Sequence, residues 1–128
     1  SGTGYSVYEI TGFDTTTVIG QASSNTATGT SGSATLPSAT AGSGIAAGLQ
    51  QPANEVTTGD VVGGWTVGEN NTGLSPSTSI LPQFRTDTSD LVADFLWITS
   101  GQYTANIVEI LAAAAPGGGA RSQVIIAG

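Results

Sequence analysis

The chain has no histidine, cysteine, methionine or lysine, and its only cationic residues are Arg85 and Arg121. Histidine is the usual general base near neutral pH and the commonest metal ligand. Cysteine and lysine are the other side chains that proteins readily activate as nucleophiles. Aspartate, glutamate, serine and tyrosine could still support catalysis, but the composition favours a protein that is not an enzyme and needs no cofactor.

Positive charge is equally scarce, with nine carboxylates giving a net charge of −7. Nucleic acids require a basic surface because their phosphates must be neutralised. Anionic lipid heads likewise attract basic segments. The composition therefore argues against a nucleic-acid partner and against membrane-surface binding. No run approaches the roughly 20 apolar residues of a membrane span, so no membrane insertion is expected.

Large hydrophobic residues are few, because much of the 38% hydrophobic content is alanine. The 128 residues suit one domain with a thin core. Without cysteine there is no disulfide framework and no thiolate metal site, which leaves the cellular compartment open. Since the sequence starts at Ser1, we expect that an initiator methionine was excised or that a precursor was cleaved.

The clearest strand pattern covers residues 91–98, where apolar residues recur at every second position, as on the buried face of a strand. Phe95 and Trp97 lie on that face, and Asp94 lies on the other. Ser100-Gly101 predicts a turn, after which residues 103–111 return as a hairpin partner, although their apolar spacing also fits a helix. We therefore predict antiparallel strands with four residues in or near the core: Phe95, Trp97, Ile107 and Ile110.

Shorter β-rich segments bounded by Gly and Pro occupy the remainder of the chain. Residues 22–35, rich in Ala, Ser and Thr, are either a loop or an edge strand, Pro82 indicates an edge or a bulge, and residues 69–73 predict a turn. We predict further strands over 5–10, 15–19, 33–36, 44–49, 79–84 and 122–126, and the stretch 60–67 contains a turn at Gly63-Gly64 before Trp65-Thr66-Val67.

These patterns predict an all-β fold, an antiparallel β-sandwich or jelly roll. Residues 1–111 would form the sandwich, and residues 112–128 would form a hinge with a C-terminal strand or arm. The hinge is the Pro-Gly-Gly-Gly run at 116–119. The strand over 122–126 either closes its own sandwich or adds to the sheet edge of a neighbouring copy, and we expect an oligomer.

Three groups of residues could carry chemistry. Asp87, Asp90 and Asp94 could offer oxygen ligands to Ca²⁺, but their spacing matches no calcium loop, and a solvated loop with Arg85 as counter-charge is favoured. Asp60 and Glu69 flank Trp65, and an aromatic between two acids is typical of a glycosidase site, although nothing in the sequence makes them converge.

Trp65 and Tyr103 could stack on a glycan, but burial in a small β core is favoured for Trp65 and Trp97. Residues 70–72 (Asn-Asn-Thr) match the N-glycosylation sequon. The glycines at 42–44 and 117–119 lack the lysine and spacing of a phosphate loop. No catalytic, cofactor or metal residue is assigned.

Three stretches together resemble a diffuse group of β-sandwich domains from bacteriophage tail and virion proteins and from secreted bacterial surface proteins. The first is residues 7–14 with 17–20, the second is Gly64-Trp65-Thr66, and the third is residues 89–98 with 100–110. The resemblance covers residues 5–111 and departs from the group by lacking further strands before the first stretch.

The resemblance implies a structural protein of a virus particle, such as a capsid decoration or tail-associated protein, acting through contacts with its own copies and other virion proteins. Two alternatives remain open at this point. One is a subunit of an extracellular filament, and the other is a carbohydrate-binding or adhesion module at the cell surface, with a glycan as partner.

Overall fold

The computed structural model describes residues 5–53, 55–74, 78–114 and 121–127. Within these ranges the chain forms strands and no helix, which confirms the predicted all-β antiparallel fold. The strands are β1 (Tyr5–Thr11), β2 (Ile19–Thr35), β3 (Gly44–Gln51), β4 (Thr58–Gly59), β5 (Thr66–Val67), β6 (Asn71–Leu74), β7 (Thr78–Arg85), β8 (Val92–Ile110) and β9 (Arg121–Ala127). In the described part of the chain, no helix is long and apolar enough to span a membrane.

Antiparallel pairing divides the strands between two sheets. β1 and β9 form a two-stranded ribbon, and the other seven strands form one sheet in the order β2-β8-β3-β7-β5. β4 lies beside β8, and β6 lies beside β7. The larger sheet is sandwich-like because its two longest strands, β2 and β8, bend sharply and contribute to both layers.

The bend is evident from contacts within single strands. Trp97 and Tyr103 are six residues apart in β8, a distance of about 20 Å in a straight strand. Their ring centroids are nevertheless 5.1 Å apart. Asn25 and Ser33 of β2 meet in the same way, since the Asn25 side-chain amide donates a hydrogen bond to the Ser33 carbonyl at 3.0 Å. The β2–β8 pair therefore folds back on itself.

The predicted hairpin at Ser100-Gly101 is wrong. β8 continues through these residues, and β2 pairs with both of its halves. Gly29 pairs with Gly101 and Ser31 pairs with Leu96, so four residues of β8 lie opposite one residue of β2. An irregularity of this kind bends a strand without reversing it. The two segments that the sequence pattern separates therefore belong to one strand.

The main core lies between the two layers of the bent sheet. The first half of β8 contributes Phe95 and Trp97, and the second half contributes Tyr103 and Ile107, all of them buried. Leu49 and Leu81 from β3 and β7 complete the contact. The predicted core positions of Phe95, Trp97, Ile107 and Ile110 are confirmed, although Ile110 belongs to a second cluster described below.

Small side chains allow β3 to lie at the centre of the sheet, between β8 and β7. The prediction of a buried strand over 44–49 is confirmed.

Pro82 in β7 lies where the neighbouring ladder is interrupted, between the residues that pair with β5 and those that pair with β6. The Pro82 carbonyl accepts a hydrogen bond from Gly68 N–H. Its missing N–H therefore faces a gap in the ladder, as a proline within a sheet requires.

The ribbon of β1 and β9 covers the outer face of the sheet. Ile126 packs with Phe13, Ala46 and Ile110 in a second apolar cluster. A Cβ added to Gly48 would lie 2.5 Å from Ile126 Cγ2, so glycine is required for this close approach. The predicted last strand is confirmed, and it pairs with β1 of the same chain. The predicted hinge at 116–119 lies outside the described residues.

Two local predictions are wrong. Residues 15–18 are not a strand, because the Asp14 carboxylate accepts hydrogen bonds from Thr16 and Thr17 N–H and holds a turn, so that β2 begins only at Ile19. The predicted turn at 69–73 overlaps β6, which pairs with β7 from Asn71. The predicted strand at 33–36 is the end of β2, apart from Leu36.

Candidate functional site

Arg85, at the end of β7, donates four side-chain hydrogen bonds, one of them to the Ser89 hydroxyl. Its side chain is 4% exposed, and its guanidinium donates to Asp87 Oδ1 at 3.0 and 2.7 Å. It also donates to the Gly63 carbonyl at 2.9 Å and lies 3.6 Å from Asp90 Oδ2. The Trp65 ring lies against it, with 5.5 Å between the ring centroid and Arg85 Cζ.

Asp87 and Asp90 are held in place by this arginine and by the loop around it. Ser89 donates to Asp87 Oδ1 from its N–H at 2.9 Å and from its hydroxyl at 2.7 Å. The Ser89 N–H, then the Ser89 hydroxyl, then Arg85, lower the pKa of Asp87 to about 2. Asp90 accepts hydrogen bonds from Trp65 Nε1 at 3.1 Å and from Val92 N–H at 3.0 Å. Both carboxylates therefore have structural partners.

Asp94 does not join them. Its side chain is on the exposed face of β8, with its backbone opposite Ser33. Desolvation raises its pKa, and the negative charges of Asp60 and Asp90 raise it further. Among the described residues, no group of three or more Asp or Glu side chains could hold a metal ion. The geometry thus favours the loop with Arg85 as counter-charge over the calcium interpretation.

Asp60 and Glu69, the candidate glycosidase acids, lie in different environments in the fold. Asp60 Oδ1 accepts a hydrogen bond from Gly63 N–H at 2.7 Å, and the Asp60 carbonyl accepts one from Trp65 N–H. Asp60 therefore closes the turn at 60–64, whereas Glu69 is exposed. Trp65 between them is 3% exposed and packs in the main core. Asp60 is thus engaged in a turn, and the aromatic ring between the two acids is buried in the core rather than exposed to a sugar.

The aromatic residues considered for glycan stacking are buried. Tyr103 is 6% exposed, and its hydroxyl accepts a hydrogen bond from the Asn25 amide at 3.1 Å. Trp97 lies edge-on to it, at an interplanar angle of 68°. The core interpretation is confirmed for Trp65 and Trp97, and neither Trp65 nor Tyr103 presents a ring face to a sugar.

The sequon at Asn70 is partly enclosed. Asn70 Nδ2 donates a hydrogen bond to the Thr57 carbonyl at 2.6 Å, and Asn70 Oδ1 is buried. One further hydrogen remains on this nitrogen for substitution, and the half-buried side chain restricts access to it. The geometry therefore disfavours glycosylation of the folded chain at this position.

Glu55 forms a contact that no sequence pattern indicated. Its carboxylate accepts hydrogen bonds from Ile98 N–H at 3.0 Å, Thr99 N–H at 2.7 Å and the Thr99 hydroxyl at 3.1 Å. These groups lie at the bend of β8, where the ladder to β2 is interrupted. Glu55 therefore supplies acceptors to backbone donors that the bend leaves without a strand partner.

Two surface features remain after these polar groups are assigned. The first, which we call the corner patch, consists of Val56, Leu96 and Ile98, which are 69%, 58% and 84% exposed. The second is the outer edge of β2. β2 has 17 residues, pairs only with β8 among the described strands, and contains no charged residue and no proline. The small, uncharged residues of this segment were the available sequence signal for the edge. They fitted either a loop or an edge strand over residues 22–35.

A cavity of about 360 Å³ lies between the β1–β9 ribbon and the sheet. Its lining is mostly apolar and includes Ile10, Phe13, Phe84 and Ile126. It marks incomplete packing between the ribbon and the sheet.

No protein-family model, curated protein or solved structure matched the chain.

Proposed function

We propose that this protein is a non-enzymatic structural subunit of a virus particle, a capsid decoration or tail-associated protein, that acts through contacts between subunits. The observation that carries the proposal is the edge of β2, a long exposed strand without charge or proline. Edge strands of monomeric proteins are commonly protected by lysine, proline or a covering element. An edge of this length that lacks charge and proline is suited to pairing with another chain.

The assignment of the polar side chains supports a structural role. Arg85, Asp87 and Asp90 stabilise one loop cluster, Glu55 stabilises the bend, and Asp60 closes a turn. Each of these groups has a partner within the fold. The missing histidine, cysteine and lysine, together with these assignments, favour assembly over catalysis.

The resemblance of residues 5–111 to phage tail and virion domains favours a virus particle as the location. The same edge would also serve an extracellular filament, which remains the alternative. Head-to-tail contacts generate filaments, whereas closed contacts generate discrete oligomers. A glycan-binding module is less well supported, because Trp65 and Tyr103 are buried.

Sedimentation velocity of the purified chain, over a range of concentrations, tests whether it associates. We expect a discrete oligomer, and negative-stain microscopy of native material should place it on particles. A helical polymer would favour the filament. A chain that remains monomeric at every concentration and joins no particle would refute the proposal.

A further inference from the structure

We infer that the edge of β2 pairs with β2 of a second copy of this chain, antiparallel about a two-fold axis near Thr26. This inference rests on the proposed function and specifies its partner and its geometry. The two sheets would become one continuous sheet across the dimer. Such a contact is isologous, because the same residues of both copies meet.

The backbone of β2 provides a segment of suitable length. Ala22 to Gly29 pair with Val108 to Gly101 in uninterrupted register, and irregularities bound this segment on both sides. In an antiparallel strand, alternate residues direct their N–H and C=O groups to the two sides. One set pairs with β8, and the other set faces outward, where no described strand pairs with it. A second strand would satisfy these groups.

The distribution of charge allows a second copy to occupy the β2 edge. The chain carries nine carboxylates and two arginines, but none of them lies between Ile19 and Thr35. Two copies of an acidic protein repel one another over most of their surface. They approach with the least repulsion where charge is absent, and the β2 edge is such a surface. The inference does not require the partner to carry a complementary charge.

The side chains of the segment also suit a two-fold contact. Ala, Ser, Asn, Thr and Gly are small, so they clear a neighbouring strand on both faces of the sheet. The Thr26 and Thr104 hydroxyls are 3.2 Å apart on the outer face. Thr26 of a second copy would extend this row, and cross-strand threonine pairs stabilise antiparallel sheets. Asn25, bonded to Ser33 and Tyr103, holds the edge in place before pairing.

The absence of cysteine permits a direct test by single substitutions. We expect Thr26→Cys to form a disulfide-linked dimer under mild oxidation, because a two-fold axis at this residue brings the two copies of it within disulfide distance. Ser24→Cys and Thr28→Cys should each cross-link poorly alone and efficiently when mixed. Thr58→Cys, exposed on β4, is the control and should remain monomeric in denaturing electrophoresis.

A charge substitution supplies a second measurement. Thr26→Lys should abolish the dimer in sedimentation velocity, because two lysines would face one another at the axis. Thr58→Lys is the matched control and should assemble as the unmodified chain does. Circular dichroism of both variants establishes that they are folded. If Thr26→Lys does not fold, the cysteine series alone decides the inference.

The outcomes separate this inference from the proposed function. Assembly that survives Thr26→Lys, or a cysteine series without cross-links at residues 24, 26 and 28, would overturn β2 pairing and leave a self-associating subunit in place. Loss of assembly in Ile98→Asp but not in Thr26→Lys would move the contact to the corner patch and would also overturn it. A monomeric unmodified chain would overturn this inference, and one that also joins no particle would overturn both proposals.

Discussion

Glu55 and Thr99 are joined by two hydrogen bonds across 44 positions of sequence. The Thr99 N–H donates to Glu55 Oε1 at 2.7 Å, and its hydroxyl donates to Oε2 at 3.1 Å. The loop before β4 is thereby attached to the point where β8 bends. Because the two halves of β8 face one another through Trp97 and Tyr103, this contact helps to define the angle between the layers.

Removing the carboxylate at the bend is expected to destabilise the fold. Glu55→Ala should lower the free energy of unfolding by about 1–3 kcal/mol, because backbone donors at the bend lose a charged acceptor. Urea denaturation followed by tryptophan fluorescence measures the change. Glu69→Ala removes an exposed acid and is the matched control. An equal effect of both substitutions would show that the contact at the bend contributes nothing specific.

Arg85 is expected to tolerate lysine poorly. Lysine cannot donate to Asp87 and the Gly63 carbonyl in the same geometry, because its ammonium lacks the planar fork of the guanidinium. Arg85→Lys should therefore cost about 2 kcal/mol of unfolding free energy. It should also alter the fluorescence of Trp65, whose ring contacts Arg85. Unchanged fluorescence together with unchanged stability would contradict this account of the cluster.

Acid should weaken the same cluster. The folded pKa of Asp87 is lowered to about 2 from 3.8, so its contribution is present above the unfolded value and is lost as the pH falls from about 4 towards 2. Asp87→Asn should remove that part of the pH dependence of stability. Denaturation midpoints at pH 2, 4 and 7 measure it, with Glu69→Gln as the control. A midpoint difference between Asp87→Asn and the unmodified chain that is equal at all three pH values would contradict the assignment.

Asp94 should behave in the opposite sense. Desolvation and the nearby acids raise its folded pKa, so at neutral pH the ionised side chain destabilises the native state relative to the unfolded chain. Asp94→Asn should stabilise the fold at pH 7 by about 0.5 kcal/mol or less, since the side chain is largely solvent-exposed. The gain should disappear as the pH falls through the folded pKa towards the unfolded value. Thermal unfolding at pH 7 and pH 3 checks both the sign and the trend.

The docking of the β1–β9 ribbon should depend on Gly48. Gly48→Ala places a Cβ 2.5 Å from Ile126 Cγ2, and overpacking of this kind costs about 1–3 kcal/mol. Ile126→Ala creates a void instead and is destabilising alone. The double variant should be more stable than the sum of the two single effects predicts, because the smaller side chain makes room for the added methyl group. Strict additivity in urea denaturation would contradict the contact.

Several elements were predictable because their signal is local. Alternation of apolar residues reports the buried face of a strand, since its side chains repeat every two residues. The faces of residues 91–98 and the core positions of Phe95 and Trp97 follow from this pattern. Pro82 predicted an edge or a bulge, because a proline cannot donate to the ladder. It lies instead in an inner strand, at the gap between the residues of β7 that pair with β5 and those that pair with β6.

The hairpin was wrong because two different structures satisfy the same pattern. A Ser-Gly step between two apolar runs fits a chain reversal, and it fits a bent strand equally well. The choice depends on whether the second run pairs with the first or whether both pair with a third strand. β2 decided it, and its Ala-, Ser- and Thr-rich sequence carries no alternation that would reveal it as the partner of both halves.

The sequence by itself determined the β-rich class of the fold, the residues of the core, the acidic surface and the absence of the commonest catalytic side chains. Tertiary structure decided which carboxylates meet Arg85, where Glu55 finds its donors, and which strand is left with an open edge. Composition and alternation are properties of short segments, so they can be read from the sequence without knowledge of the fold. Pairing partners and register are long-range, because they depend on which strands share an edge once the chain has folded.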